Sequence, residues 1–246
     1  MERLIGVTGW KPGKHAQSGR VGVALLSVLG LAPLHAADID GTVTIMRRLT
    51  KPKVTAAANS YQRGAAVALH SDFSRDVLAF ERSHVVVYLE GSLPTTPLIG
   101  TMEQKDRQFI PDMLVLPAGS TVSFPNLDPI FHNVFSLSRP KEFDLGNYPK
   151  DQTRTVTFAK PGVVFVNCHL HSNMGGVIVI TPNQWNSRVD GAGRFRLCDI
   201  PSGTYTVVAW HKAAGYFRQR VTVSDTGSTL LSFFIPLPAE GTEASR

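Results

Sequence analysis

Within seven residues, Cys168-His-Leu-His171-Ser-Asn-Met174 brings together a thiol, two imidazoles and a thioether. Upstream, Phe124-Pro-Asn126-Leu-Asp128 leads into His132-Asn133-Val134, which adds another imidazole just after a short apolar stretch. One Cys thiolate with two imidazoles is a trigonal ligand set for copper, and a weak axial Met completes it. The soft thiolate and thioether suit the reduced ion, while the imidazoles serve both oxidation states. A rigid site of this mixture can change its electron count with little rearrangement.

The spacing tells which elements must hold these groups. Three donors so close together need only one loop between adjacent strands, and the distant His132 must come from a neighbouring strand end. Alternation along Val164, Val166 and Cys168 points the thiol into a core, where burial excludes water. Gly176 and Val177-Ile-Val-Ile180 then supply the following strand.

The remaining pattern is all β. Ile39 to Ile45 alternates like a first strand, and residues 46–82 read as an insertion. That insertion has five basic residues and no acid between Met46 and Arg63, and one helical piece is expected between Ser71 and Arg82 with Phe73, Val77 and Phe80 inward. Strands are expected over His84–Glu90, Met113–Leu116, Thr121–Phe124, Thr153–Phe158 with Val156 and Phe158 inward, Val163–Cys168 and Val177–Ile180. A further β unit follows, with strands around Phe195, Thr204–Trp210, Val221–Val223 and Leu230–Ile235. Only 18% of the 246 residues are charged, and the 21 Gly and 16 Pro punctuate short elements, which excludes a coiled coil or helical bundle. The predicted organisation is a signal peptide over 1–36, a first strand with the basic insertion over 37–83, a sandwich over 84–182, a smaller sandwich over 183–238 and a tail over 239–246.

The loop Cys168–Met174 resembles the copper loop of cupredoxins, the plastocyanin and azurin family, and its short spacing is most similar to amicyanin. His132-Asn133-Val134 resembles the plastocyanin motif that carries the first histidine ligand, and Met174-Gly-Gly176-Val177 resembles the strand after the axial Met. The resemblance spans residues 84–182. It implies an antiparallel Greek-key cupredoxin sandwich with a single type 1 copper on His132, Cys168, His171 and Met174, and Asn133 tying the two ligand loops together. Asp190 to Trp210 resembles the transthyretin-like or carboxypeptidase-regulatory β-sandwich, a pairing found in exported proteins labelled methylamine-utilisation proteins.

Departures exclude neighbouring chemistries. Multicopper oxidases need several His-x-His pairs, and His169/His171 is the single one here. A binuclear copper-A centre wants a second Cys at position 172, which is Ser; copper nitrite reductases place a His directly before the Cys, where this chain has Asn167. His169 alternates away from Cys168 and is expected at the surface. His70, His84 and His211 read as ordinary residues, with Trp210-His211 a point of interdomain contact or a weak second metal site. Cys198, unpaired if Cys168 binds copper, is expected as a small core hydrophobe.

A basic, acid-poor start, the apolar run Val21–Ala32 and Pro33-Leu-His-Ala-Ala37 predict an export signal cleaved after Ala36, hence a periplasmic protein. No apolar run reaches the roughly 18 residues of a spanning helix, so no integral membrane segment remains after cleavage. The formal charge of +6 divides evenly between residues 1–36 and the rest, too little for nucleic-acid binding. The expected role is a single-electron carrier to a redox partner protein, not an enzyme. Copper storage or delivery, and a metal-free interaction module, are the competing classes; no Met cluster favours delivery.

Overall fold

Strands make up every described element but one, as the dense turn punctuation predicts. The computed structural model describes residues 36–50, 76–225 and 227–236. The expected export signal before Ala36, the stretch 51–75 with His70 and Phe73, and the tail lie outside the described residues. In chain order the elements are β1 (Ala36–Ile45), α1 (Val77–Ser83), β2 (Val85–Glu90), β3 (Ile99–Thr101), β4 (Glu103–Lys105), β5 (Gln108–Ile110), β6 (Met113–Pro117), β7 (Ser120–Pro125) and β8 (His132–Ser138). Then come β9 (Lys141–Tyr148), β10 (Thr153–Phe158), β11 (Gly162–Asn167), β12 (Gly175–Thr181), β13 (Asn186–Arg188), β14 (Arg194–Pro201), β15 (Gly203–His211), β16 (Gly215–Val223) and β17 (Ser228–Ile235).

Two sandwiches result. In the first, the five-stranded sheet β6-β12-β11-β8-β9 and the three-stranded sheet β10-β7-β3 enclose Phe124, Val134, Tyr148, Phe158, Val164 and Val166. The predicted alternation holds here: Val156 and Phe158 point inward on β10, and Val164 and Val166 on β11. In the second, β13-β2-β15-β16 and β14-β1-β17 enclose Ile39, Val87, Leu89, Leu197, Val207 and Phe233. Each such fully buried aliphatic or aromatic side chain contributes about 1.5–3 kcal/mol by leaving water.

Sheet membership does not follow chain order. β1 lies between β14 (antiparallel) and β17 (parallel), and β2 pairs with β13 and β15. The strand at 85–90, grouped by sequence with the copper-loop strands, is therefore hydrogen-bonded into the second sandwich. Val86 and Trp210 face away from that sandwich's core and meet Met113, Val177 and Val179 on the outer side of the first. β2 and β12 are thus covered on both faces, which is the physical reason for their unbroken apolar runs.

Two expectations are corrected. On α1, Phe80 is 47% exposed and Glu81 is the side chain that turns inward, because its carboxylate gathers the backbone N–H groups of Leu49 and Thr50 at 3.0 and 2.8 Å. Cys198 is exposed rather than in the core. Phe195 and Leu197 occupy the inward positions of β14, and a bulge opposite Asp38, with Asp199 at φ 56°, leaves Cys198 and Asp199 both outside before Ile200 returns to the core.

Candidate metal centre

β11 delivers Cys168 to the rim of the first sandwich, where it is 4% exposed. The chain then reverses within one turn: the Met174 N–H donates to the His171 carbonyl at 2.9 Å and the Cys168 N–H to the Met174 carbonyl at 3.3 Å. Gly176 allows the return strand to approach closely. A Cβ there would lie 3.2 Å from both Phe109 Cβ and Val166 Cγ2. Met174 is buried in the same cluster as Cys168.

His132 opens β8, beside β11 in the same sheet. A register shift between Asn133 and Phe135 lets His132, Asn133 and Val134 all be buried in succession. The structure thereby brings His132, Cys168 and His171 together, with ligand atoms all within 4.8 Å of one another. The Cys168 Sγ lies 3.9 Å from His132 Nδ1 and 3.7 Å from His171 Nδ1. A first-row ion with bonds near those of protein-bound zinc would set imidazole N and thiolate S roughly 3.6–3.8 Å apart. The two sulfur–nitrogen separations match that spacing, and the three ligand atoms, within 4.8 Å of one another, close on a single ion by small side-chain movements.

The surrounding groups orient the donors. His132 Nε2 donates to Asp128 Oδ2 at 2.7 Å, which leaves Nδ1 as the nitrogen facing the thiol. Asp128 also accepts the backbone N–H groups of Asp106 and Arg107 at 2.7 and 2.8 Å. Burial pushes this carboxyl up, but those N–H groups and the His132 ring outweigh it and hold its pKa below the usual carboxylate range. Asn133 connects the loops: its backbone N–H donates to Cys168 Sγ at 3.4 Å, its amide donates to Asp144 at 2.6 Å, and its Oδ1 accepts the His169 N–H at 3.4 Å. Burial, then the neighbouring His132 and Arg107, pushes the pKa of His171 down, favouring the neutral ring that can ligate.

His169 points outward as predicted, stacked on Phe135 with centroids 3.7 Å apart. The exposed apolar side chains Leu127, Ile130 and Phe131 belong to the segment leading into His132, and Leu170 to the loop between Cys168 and Met174. His171 and Met174 also line a cavity of about 1160 Å³ bounded on its other side by Leu49, Phe80 and Trp210. His211, expected as ordinary or as part of a weak second metal site, is fully buried with Nε2 3.1 Å from Glu81 Oε2 and Nδ1 accepting the Ala213 N–H at 3.1 Å. Sequence reasoning missed Asp128. Its signal was a carboxylate four residues before the candidate histidine.

No family model matches the chain, and no curated protein matches it. Among solved structures, a Cu-containing nitrite reductase from Thermus scotoductus is similar at 26% identity over 36% of this chain, with a TM-score of 0.32. The match spans 22% of that reductase. A purple cupredoxin from Nitrosopumilus maritimus is similar at 21% identity over 33% of this chain and 96% of its own, TM-score 0.30. A reduced amicyanin mutant is similar at 20% identity over 39% of this chain and 98% of its own, TM-score 0.31.

Proposed function

We propose that the chain is a periplasmic type 1 copper protein that carries single electrons between partner proteins. The observation that carries this reading is the convergence of His132 Nδ1, Cys168 Sγ and His171 Nδ1, two of them on fully or nearly fully buried side chains. Met174, a soft thioether buried beside them, favours copper over zinc, whose protein sites take thiolate, imidazole and carboxylate. One copper held by His132, Cys168, His171 and Met174 supplies a one-electron couple.

The residues of the chain do the rest. Asp128 fixes the tautomer and direction of His132, and the Asn133 N–H stabilises negative charge on the Cys168 sulfur. The core around Val164, Val166 and Phe124 keeps water away from the thiolate and resists rearrangement when the charge changes. His171 is the partly exposed member of the set, and the apolar side chains Leu127, Ile130, Phe131 and Leu170 give a partner a surface that dewets on contact. The groups present orient and insulate; the reading is of a carrier, not an enzyme. Export with cleavage after Ala36 leaves Ala37, the first inward side chain of β1, in place.

Adding Cu(II) to the purified protein and recording visible absorption and electron paramagnetic resonance, beside Cys168→Ser, tests the reading. An intense thiolate-to-copper band with a small parallel hyperfine splitting, both lost in Cys168→Ser, is expected. A pale spectrum that the substitution leaves unchanged would overturn it.

A further inference from the structure

The cavity between the two sandwiches has features that an electron-carrier role does not use. Its floor is formed by Met113, Val177 and Trp210, where the outer faces of the sandwiches meet. At about 1160 Å³ it exceeds what a few waters need and lies just above the roughly 300–1,000 Å³ of most small-molecule sites, which concentrate at such junctions. Trp210 is 4% exposed, and its indole N–H meets no acceptor among the described residues. That N–H is not among the fully buried polar atoms without a partner, so it keeps contact with solvent and is a donor open to a ligand in the cavity it lines.

The charges of the lining are unequal. Arg48, Arg107 and Lys212 stand against Asp106 and Asp112, and Asp112 is already engaged by His84 Nε2 at 3.0 Å. Arg48 donates to its neighbour Thr50 and Lys212 lies over the Phe165 ring at 5.7 Å. The Arg107 guanidinium makes no hydrogen bond or ion pair among the described residues, although its backbone is fixed by Asp128. Its backbone is held while its exposed head group is uncommitted among the described residues, which puts a cation at the edge of the cavity. Apolar surface lies nearby on Leu49, Phe80 and Leu170.

We propose that this cavity binds a small organic anion with an apolar body, its charge met by Arg107 and the donors of the lining and its body packed on Phe80 and Leu170. Because His171 forms part of the wall, the bound molecule lies beside the metal centre. That last clause rests on the copper reading; the binding site itself does not.

The test uses full-length, metal-free protein and two fluorescent probes, anionic 8-anilinonaphthalene-1-sulfonate and its uncharged relative N-phenyl-1-naphthylamine. One saturable site is expected, at least several-fold tighter for the anion. Arg107→Asn keeps a residue that tolerates the left-handed turn at φ 56°; it should weaken the anion about 5- to 10-fold and leave the neutral probe unchanged, while Arg220→Ala, on the exposed face of β16, changes neither. Trp210→Phe should also weaken the anion. Should that variant fail to fold, Arg107→Asn still decides. Equal affinity for the two probes, or anion binding indifferent to Arg107→Asn, would overturn the proposal. In protein whose copper signal is lost in Cys168→Ser, and whose copper is thereby placed at that residue, the bound anion's fluorescence should be quenched; a probe left bright there would lie elsewhere and also overturn the proposal. A chain that takes up no copper leaves the metal-free titration intact.

Discussion

Each sandwich buries a histidine against a carboxylate, and the two pairs share a layout, although the contact is a hydrogen bond only for His132. In the first, Asp128 collects the backbone N–H groups of Asp106 and Arg107 and faces His132; in the second, Glu81 collects those of Leu49 and Thr50 and faces His211. Both imidazoles are fully buried. The difference lies in the other ring nitrogen. His211 Nδ1 accepts the Ala213 N–H, whereas His132 Nδ1 looks across 3.9 Å at the Cys168 sulfur. The same carboxylate device thus fastens a loop in one place and aims a ligand in the other. What a buried histidine does is set by the group its free nitrogen meets, not by burial or by the partner carboxylate.

That comparison can be broken most severely at Glu81. Glu81→Ala strips the half-buried N–H groups of Leu49 and Thr50 of their acceptor and His211 of its neighbouring carboxylate, so unfolding in urea should show a loss of about 2–4 kcal/mol, with copper affinity untouched. A loss smaller than about 1 kcal/mol would mean the pair is not the fastening described. At Asp128 the expected signature is the reverse. Asp128→Asn retains an oxygen for the turn but weakens the hold on His132, and copper affinity by competitive chelator titration should fall about 10- to 100-fold while stability changes less. Equal stability losses and no affinity change would erase the distinction between the pairs.

Smaller effects sharpen it. Asn133→Ala removes the links to Asp144 and to the His169 N–H but keeps the backbone donor to the sulfur. About 1 kcal/mol of stability should be lost, with the charge-transfer band retained. The smallest effect belongs to a third, partly exposed pair. The Asp112 carboxylate beside His84 raises the histidine's pKa above its ordinary 6.5, more than burial lowers it. A raised folded value means the stabilisation is fully present below the unfolded pKa and is lost as pH rises through the folded one. With Asp112 60% exposed, less than about 1 kcal/mol is at stake. Thermal unfolding followed from about pH 6 to pH 9 should show this loss in the natural chain and not in Asp112→Asn.

The grouping of His132, Cys168 and His171 was legible because much of its information is local. The alternation of Val164, Val166 and Cys168 and the brevity of the loop place three donor-bearing side chains with no knowledge of the rest of the fold. His132 and Asn133 could be read from a motif. Asp128 was not, since nothing in a single carboxylate announces which turn it will grip. The strand partners of β1 and β2 were equally hidden: a strand's own pattern tells which face is buried but not which strand lies beside it. One clue did exist in Val85-Val-Val87 and Val177-Ile-Val-Ile180, whose lack of alternation signals cover on both faces. Cys198 was misplaced because the usual burial of a free thiol was set above the alternation of Phe195 and Leu197, which already turns position 198 outward; the bulge shifts only Asp199 and Ile200.

The position of β1 governs when the chain can finish folding. The first strand after the expected export signal lies between β14 and β17, and its Thr42 side chain touches Ser232, 190 residues further along the chain. A sheet whose central strand precedes its parallel neighbour by so much chain cannot close until that neighbour has been made. Contacts of such sequence separation carry a large loop-closure cost before they return any stabilisation, so assembly of this half is slow and must await β17. The strands of the first sandwich, all drawn from residues 99–181, face no such wait, and the half with the candidate metal centre can be in place while its companion still lacks an edge.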